Sequence, residues 1–570
     1  MRKILILIIS ASYLGLGLLG GLLSCVSEDS YQFGKLEIET PLEEGLSAET
    51  LIESTLPTAG STDVDLATVI KVIFSQRIDK NTLTPETFIV QSLSNPVPGE
   101  ITYEEATRTA IFKPEHSLGL LANYKVLLTT GIKTSKEEAL AADYSWNFST
   151  RDGVWETQAK ELKWSNTAAT NPQAAISDNG DAVVVWQQIN VGTTPPYTIV
   201  ARRYTLQNGW ESLAHPVANA GPNCINPQVG IDEQGRMVVV WAQGEIANRD
   251  VYANTPGANG IWNPATAKPL DNLEGRTGSP QLAMSKTGRA LAVWTQQEAA
   301  HRWFIFINQY LPEQGWNVEP KKISSASNSS FSPTIGIGKS DSAMAVWEQR
   351  RIKIDGDMIE FMDNIEANHL QGELSSWDSS TEQELTDTEL GALHPQVAGD
   401  GKGNYLTVWI QSDGTRDRAY ARYFKSETNA WESSAKSLDN GSSHAKSIQI
   451  AMNNIGDAVA LWAQDDRIWA RRYIADTGWE AAALKIDQGS QPAKDPKVAL
   501  DDEGNIIATW VQDDDIWINR YSVRDGSWHT EQNIDDHDAV ASLPTIAMNS
   551  QGQAILAWVR AGNILAKMFK

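Results

Sequence analysis

The side chains in this sequence that could do chemistry are scattered, and their spacing excludes most familiar constellations. The eight histidines, His116 to His537, contain no metal-spaced pair such as His-x3-His, and neither a Gly-x-Ser-x-Gly elbow nor a phosphate loop occurs. Carboxylates gather at Asp513-Asp514-Asp515 and at Asp535-Asp536-His537-Asp538. Such oxygens could hold calcium, but neither run follows calcium-loop spacing, so both read as solvated turns and no cofactor is expected. Amides recur more regularly. Seven Trp-x-Gln triplets place Gln188, Gln243, Gln296, Gln349, Gln411, Gln464 and Gln512, with Arg560 in the eighth position. A ring of amides could bind sugar hydroxyls, but a Gln two residues after a buried Trp shares its face, which favours a structural hydrogen bond between neighbouring units. Aromatic and basic residues form the remaining set: Tyr197, His301, Trp303, Arg350, Arg351 and Lys353.

These residues sit on an internal repeat. Tryptophans fall at 186, 241, 294, 347, 409, 462, 510 and 558; six residues before each is Gly (Asp341 in the fourth), and fourteen before is Pro (Ile448 in the sixth). The residue eleven before is always Ala or Gly, a sign of a strand close to a neighbouring backbone. The Gly fits a tight hairpin that needs positive φ. The run that follows, Ala182-Val183-Val184-Val185 in the first unit, is apolar on both faces and therefore sandwiched between sheets. A third strand follows (Ile199 to Tyr204), and a second Trp, as at Trp210, opens a fourth. Four strands per unit of about 50 residues make a propeller blade. The eighth unit has only three strands before Lys570, while Gly153-Val154-Trp155-Glu156 copies the Gly209-Trp210-Glu211 pattern ahead of the first, so the two ends should complete one blade.

The units resemble bacterial propeller repeats in general. They are not the Asp-box of sialidases, which places its aromatic three residues after Gly where this chain places it six after, so sialidase chemistry is not implied. Spacing before the repeat Trp is fixed and the slack falls after it, at Gln187–Thr198, Gly244–Asp250, Gln297–Phe304 and Gln349–Asn364. Long loops of the first four blades are thus expected on one side of the ring, and they carry the aromatic and basic set named above.

Ahead of the repeats, residues 56–150 show alternating runs such as Val69 to Phe74 and Tyr124 to Leu128, punctuated by Pro, Gly and Asn, as in an antiparallel sandwich. Pro57, Gly60, Ile73-Phe74-Ser75, Phe112-Lys113-Pro114, Tyr124 and Trp146-Asn147-Phe148-Ser149-Thr150 resemble the bacterial Ig-like domain of surface-layer proteins. That resemblance implies a spacer. Arg2-Lys3, an apolar stretch and Leu22-Leu23-Ser24-Cys25 resemble a lipoprotein signal peptide (1–24) cleaved before a lipid-modified Cys25, with 25–55 as a polar tether. Val26 rather than Asp after Cys25 resembles the outer-membrane sorting pattern. Cys224 is then left without a disulfide partner in the chain. With 47 basic against 71 acidic residues, a net charge of −24 argues against nucleic acid as a partner.

The sequence therefore predicts an all-β chain: an Ig-like β-sandwich at 56–150, then an eight-bladed β-propeller at 151–570 closed by its terminal strands. The expected function is a non-catalytic, envelope-anchored lipoprotein that meets the membrane through its lipid and presents a binding surface to a glycan or protein. A structural or assembly role in the envelope, or an enzyme acting on polysaccharide or glycoconjugate, are the alternatives.

Overall fold

The computed structural model describes residues 51–570 except 94, 190–196, 219–222, 258–259, 272–274, 299–301, 326–327, 339–341, 356–357, 388–389, 440 and 536–538. Cys25, His301, Asp536, His537 and Asp538 lie outside the described residues.

Residues 51–150 fold as two four-stranded antiparallel sheets face to face. Alternation explains their burial: in Ile70–Phe74 every second side chain is buried. The inward set, including Ile70, Val72, Phe74, Phe88, Phe112, Val126 and Phe148, forms one core. Trp146 closes it, its indole donating to the Pro57 carbonyl (3.0 Å).

Eight further antiparallel sheets, one for each repeat, make the propeller. In blade one the inner strand is Ala169–Ile176, the second Ala182–Ile189 and the third Tyr197–Thr205. All eight repeat tryptophans are 0% exposed, as sandwiching between sheets requires. The repeat glycines take the expected positive φ, from 74° at Gly235 to 105° at Gly456. The small residue of the inner strand also has its reason: a Cβ on Gly336 would lie 3.3 Å from the Val397 carbonyl of the next blade.

The ring closes through its ends. Lys160–Glu161 pairs with the last strand, Asn563–Phe569, and Trp155 packs on Phe569 with ring centroids 5.2 Å apart. A latch recurs at every blade junction, where a third-strand side chain donates to a carbonyl at the outer edge of the preceding blade. Arg202, Asn254, Asn308, Asn368, Arg422, Arg471, Asn519 and Lys567 reach Glu161, Val217, Leu270, Ile323, Leu385, Leu438, Ile486 and Ile534.

Two details differ from expectation. The second Trp pairs as a fourth strand in blades one, three, five, six and seven, but Trp262 precedes a short 3-10 turn and Trp377 lies between two, and there Lys268–Pro269 and Glu382–Glu384 form the outer strand. The segment Gln349–Asn364 is no loop. Ser342–Asp355 and Met358–Gln371 are continuous strands, paired from Ser342↔Gln371 to Asp355↔Met358. Beyond Gln349, where the inner strand stops pairing, six residue pairs project as an arm of about 20 Å.

Candidate functional site

The start of each inner strand pairs with the end of the second, as Ala169↔Gln188 shows, so the inner-strand starts and the connections between second and third strands share one face. That face holds the mouth of the central channel. In seven blades the inner strand bulges there, and the residue at the bulge, fifteen before the repeat Trp, adopts left-handed backbone. These residues are Asn171, Asn226, Ser332, His394, Ser447, Asp495 and Leu543, with φ between 49° and 57°. Left-handed backbone at non-glycine residues costs of order 1 kcal/mol or more and gathers at functional sites, and bulges re-aim side chains. One step deeper, thirteen residues before the Trp, lie Gln173, Gln228, Gln281, Thr334, Gln396, Gln449, Lys497 and Thr545.

The two tiers, polar at every named position but Leu543, form a funnel. Over blades one and five to eight it opens into a cavity of about 600 Å³ lined by Asn171, Gln173, His394, Gln396, Lys446, Gln449, Asp495 and Lys497, among others. On the blade one to four side the same tiers bond to one another: Asn171 to Asn226 (3.3 Å), Asn226 to Ser279 (2.5 Å), and Ser332 to Glu348 (3.1 Å). Glu348 also accepts from the His394 backbone N–H (2.8 Å) and lies 3.9 Å from its ring. Lys497 donates to the Gln449 amide oxygen (3.4 Å). Burial pushes the Lys497 pKa below the usual lysine value, against the pull of Asp495, because the cation loses hydration in the funnel. Asp417, at the rim of the same cavity, lies 3.0 Å from His444.

On the opposite face the hairpin turns line a smaller cavity of about 210 Å³, and Lys286 of blade three reaches Asp178 of blade one across it (2.5 Å). The two-sheet domain packs on this face. Ser92 donates to Glu503, Leu120 N–H to the Gln551 carbonyl (2.7 Å), and Arg520 holds Asp152 through both guanidinium nitrogens (2.8 Å each). The funnel mouth therefore points away from that domain.

The residues singled out in the sequence are placed differently. The Trp-x-Gln amides point into the blades, each glutamine Oε1 accepting from its own tryptophan Nε1 at 2.8–3.1 Å. The NH2 groups of Gln188, Gln349 and Gln464 donate to the link into the same blade, at the Thr167 (2.8 Å), Ser329 (3.3 Å) and Ser443 (2.8 Å) carbonyls, so in these blades the expected bond between units is a bond within one. In blade eight Asp535 takes the glutamine's part, accepting from Trp558 (2.9 Å) and Arg560 (2.5 Å). Asp535 is thus a buried ion-pair partner and not a solvated turn residue. Asp513 and Asp514 form a two-residue hairpin with φ of 53° and 60°, the left-handed pair such a turn requires.

Of the aromatic and basic set, Tyr197 and Trp303 open third strands and are half-buried. Arg350 and Arg351 lie on the blade-four arm rather than in a loop, held by Asp363 (3.0 Å) and Glu384. Lys353 stands opposite Glu360 in the strand register of the same arm. Tyr197, Trp303, Arg350 and Arg351 do not line the funnel cavity. The funnel tiers went unread in the sequence although their signal was present: Gln stands thirteen before the Trp in five of eight repeats. Among the described residues, no three His, Cys, Asp or Glu side chains come together as a metal site, and no helix is long and apolar enough to cross a membrane.

Fold and funnel together define a β-propeller carried on an Ig-like sandwich. Residues 48–150 match the family model described as bacterial Ig-like domain. No curated protein matches the chain. Similar solved structures include a PL25 ulvan lyase bound to a -[GlcA(1-4)Rha3S]- saccharide (9% identity, 72% of this chain and 95% of that one, TM-score 0.41). The GH93 α-L-arabinofuranosidase of Fusarium graminearum (10%, 54% and 93%, 0.35) and a protein of Dyadobacter fermentans (9%, 73% and 98%, 0.34) are others. The expectation of a non-catalytic binding module finds no counterpart among the named structures, which are glycan-acting enzymes.

Proposed function

We propose that the protein is an enzyme acting on a polysaccharide or glycoconjugate held in the central funnel. The observation that carries this reading is Lys497, a half-buried amine of lowered pKa set in a tier of glutamines at the bottom of the 600 Å³ cavity. An amine that sheds its proton more readily than free lysine is suited to accept one from a substrate. The amides of Gln173, Gln396 and Gln449 supply donors and acceptors for sugar hydroxyls, and His394, oriented beside Glu348 at the rim, is placed to return a proton to a leaving oxygen. The test is turnover of a panel of soluble polysaccharides by the purified protein and by Lys497→Met, followed by reducing ends and by the absorbance of unsaturated products. Turnover that falls at least a hundredfold in Lys497→Met supports the reading; equal turnover by both proteins rejects the role of Lys497, and none by either rejects the enzyme.

The envelope location belongs to the same proposal. Lipid on Cys25 would tether the chain, and the sandwich, packed on the hairpin face, would turn the funnel mouth outward. Cys25→Ser should then accumulate as an unprocessed precursor; normal processing and membrane fractionation of that variant would refute the anchor.

A further inference from the structure

A row of rings and guanidinium groups runs outward from the funnel mouth between blades three and four. Phe331 lies at the rim, adjacent to the mouth residue Ser332. Its ring is 6.3 Å from that of Trp303, at the start of blade three's third strand, and the Arg350 guanidinium lies 4.7 Å above it. Arg350 also covers Phe361 on the projecting arm (5.8 Å), and Arg276 covers Trp303 (5.8 Å).

Hydrogen bonds fix the inner part of the row. Arg350 is fixed by two bonds to Asp363 (3.0 and 3.2 Å), its backbone N–H donates to the Ser329 carbonyl (2.8 Å), and the Trp303 N–H donates to the Ser329 hydroxyl (3.3 Å). Yet its outer end is bare: Phe361 is 65% exposed and its cross-strand partner Ile352 is 56% exposed. A folded chain that holds an aromatic side chain in water on an ordered arm gains no core stability from it.

We infer that Trp303, Phe331 and Phe361 form an extended subsite for a glycan chain, on which sugar rings stack as the polymer leaves the funnel. This inference rests on the proposed function for its occupant. Three observations favour a glycan over a protein. The row is continuous with the polar funnel, it alternates aromatic faces with guanidinium donors, and it is narrow, a single file of rings rather than a broad apolar patch. Aromatic faces accept the C–H faces of sugars, while arginine donates to hydroxyl or carboxylate oxygens.

The test separates the row from the funnel by reading binding rather than turnover. The full-length protein, Phe361→Ala, Trp303→Ala and Lys497→Met are run in affinity gels containing arabinan, alginate or polygalacturonate, with melting curves to verify folding. Phe361→Ala, an exposed position, should weaken retention of the wild-type ligand about fivefold to tenfold, and Trp303→Ala at least as much. Cleavage of a di- or trisaccharide of the same polymer should not change in either. Retention of Phe361→Ala and Trp303→Ala at the wild-type level would overturn the subsite even if Lys497→Met abolishes turnover, as would a wild type retained by none of the three polymers. Loss of retention in the row variants with no turnover by any protein would uphold the subsite while rejecting the catalytic reading. Equal loss on short and long saccharides would place the contact inside the funnel and overturn the subsite.

Discussion

Asp535→Ala offers a sharp test of how the ring is held. In seven blades a neutral glutamine satisfies the buried indole N–H, whereas in blade eight Asp535, its side chain 1% exposed, satisfies both Trp558 and Arg560. Removing it leaves the Arg560 guanidinium without its counter-charge. Breaking a buried pair costs about 3–5 kcal/mol, and because 24% of the Arg560 side chain reaches solvent, about 3 kcal/mol applies here. The orphaned indole adds about 1 kcal/mol, for a total of about 4 kcal/mol. Gln188→Leu, which removes only a neutral partner in blade one, should cost about 1–3 kcal/mol. The double variant Asp535→Ala/Arg560→Gln restores the arrangement of the other blades and should recover at least half of the loss. Equilibrium unfolding in urea followed by tryptophan fluorescence reads the totals, and hydrogen exchange in Ala554–Arg560 locates them. A cost below about 1 kcal/mol for Asp535→Ala, or a double variant no better than the single, would refute the account.

Further outcomes follow from the same geometry. A chain beginning at residue 165 loses the Lys160–Glu161 strand, the Trp155–Phe569 contact and the acceptor of Arg202, so it should melt well below one beginning at 151; equal melting temperatures would refute the closed ring. Asp271 is pushed up to about 7 by burial and by the adjacent Asp250, while the unfolded carboxyl titrates near 3.8. The unfolded chain therefore gives up this proton first, stability falls as pH rises from about 4 to about 7, and Asp271→Asn should be the more stable protein at pH 8 with no advantage at pH 4. Melting curves of the two proteins across that range decide it. Because Lys497 must be neutral to accept a proton, turnover should rise with pH to a plateau reached below the ordinary lysine range, and a rate that falls over pH 7–9 would contradict its role.

Blade number, strand order within a blade and closure of the ring were legible in the residues alone. Those features depend on local requirements that only a few residue types meet: a positive-φ turn for the repeat glycines, a close inner strand for Ala or Gly, and a sheet-to-sheet gap filled by Trp. The same logic made Trp-x-Gln readable as a structural pair. The junction latches emerge only in the folded ring, because a carbonyl needs only a donor in the right place. Arg202, Asn254 and Lys567 do the same work and share no residue type. Tertiary structure likewise decided that Asp535 replaces a glutamine, since the partners meet only when the segment before blade eight folds over its second strand. The funnel belongs to the tertiary structure for the same reason. Gln173, Gln449 and Lys497 are separated by one to six repeats, and closure of the ring, not proximity in the chain, brings them to one cavity. The blade-four arm was hidden by a different cause. Its excess length after Trp347 reads as a loop until cross-strand pairing, from Arg350↔Asp363 to Asp355↔Met358, turns it into sheet.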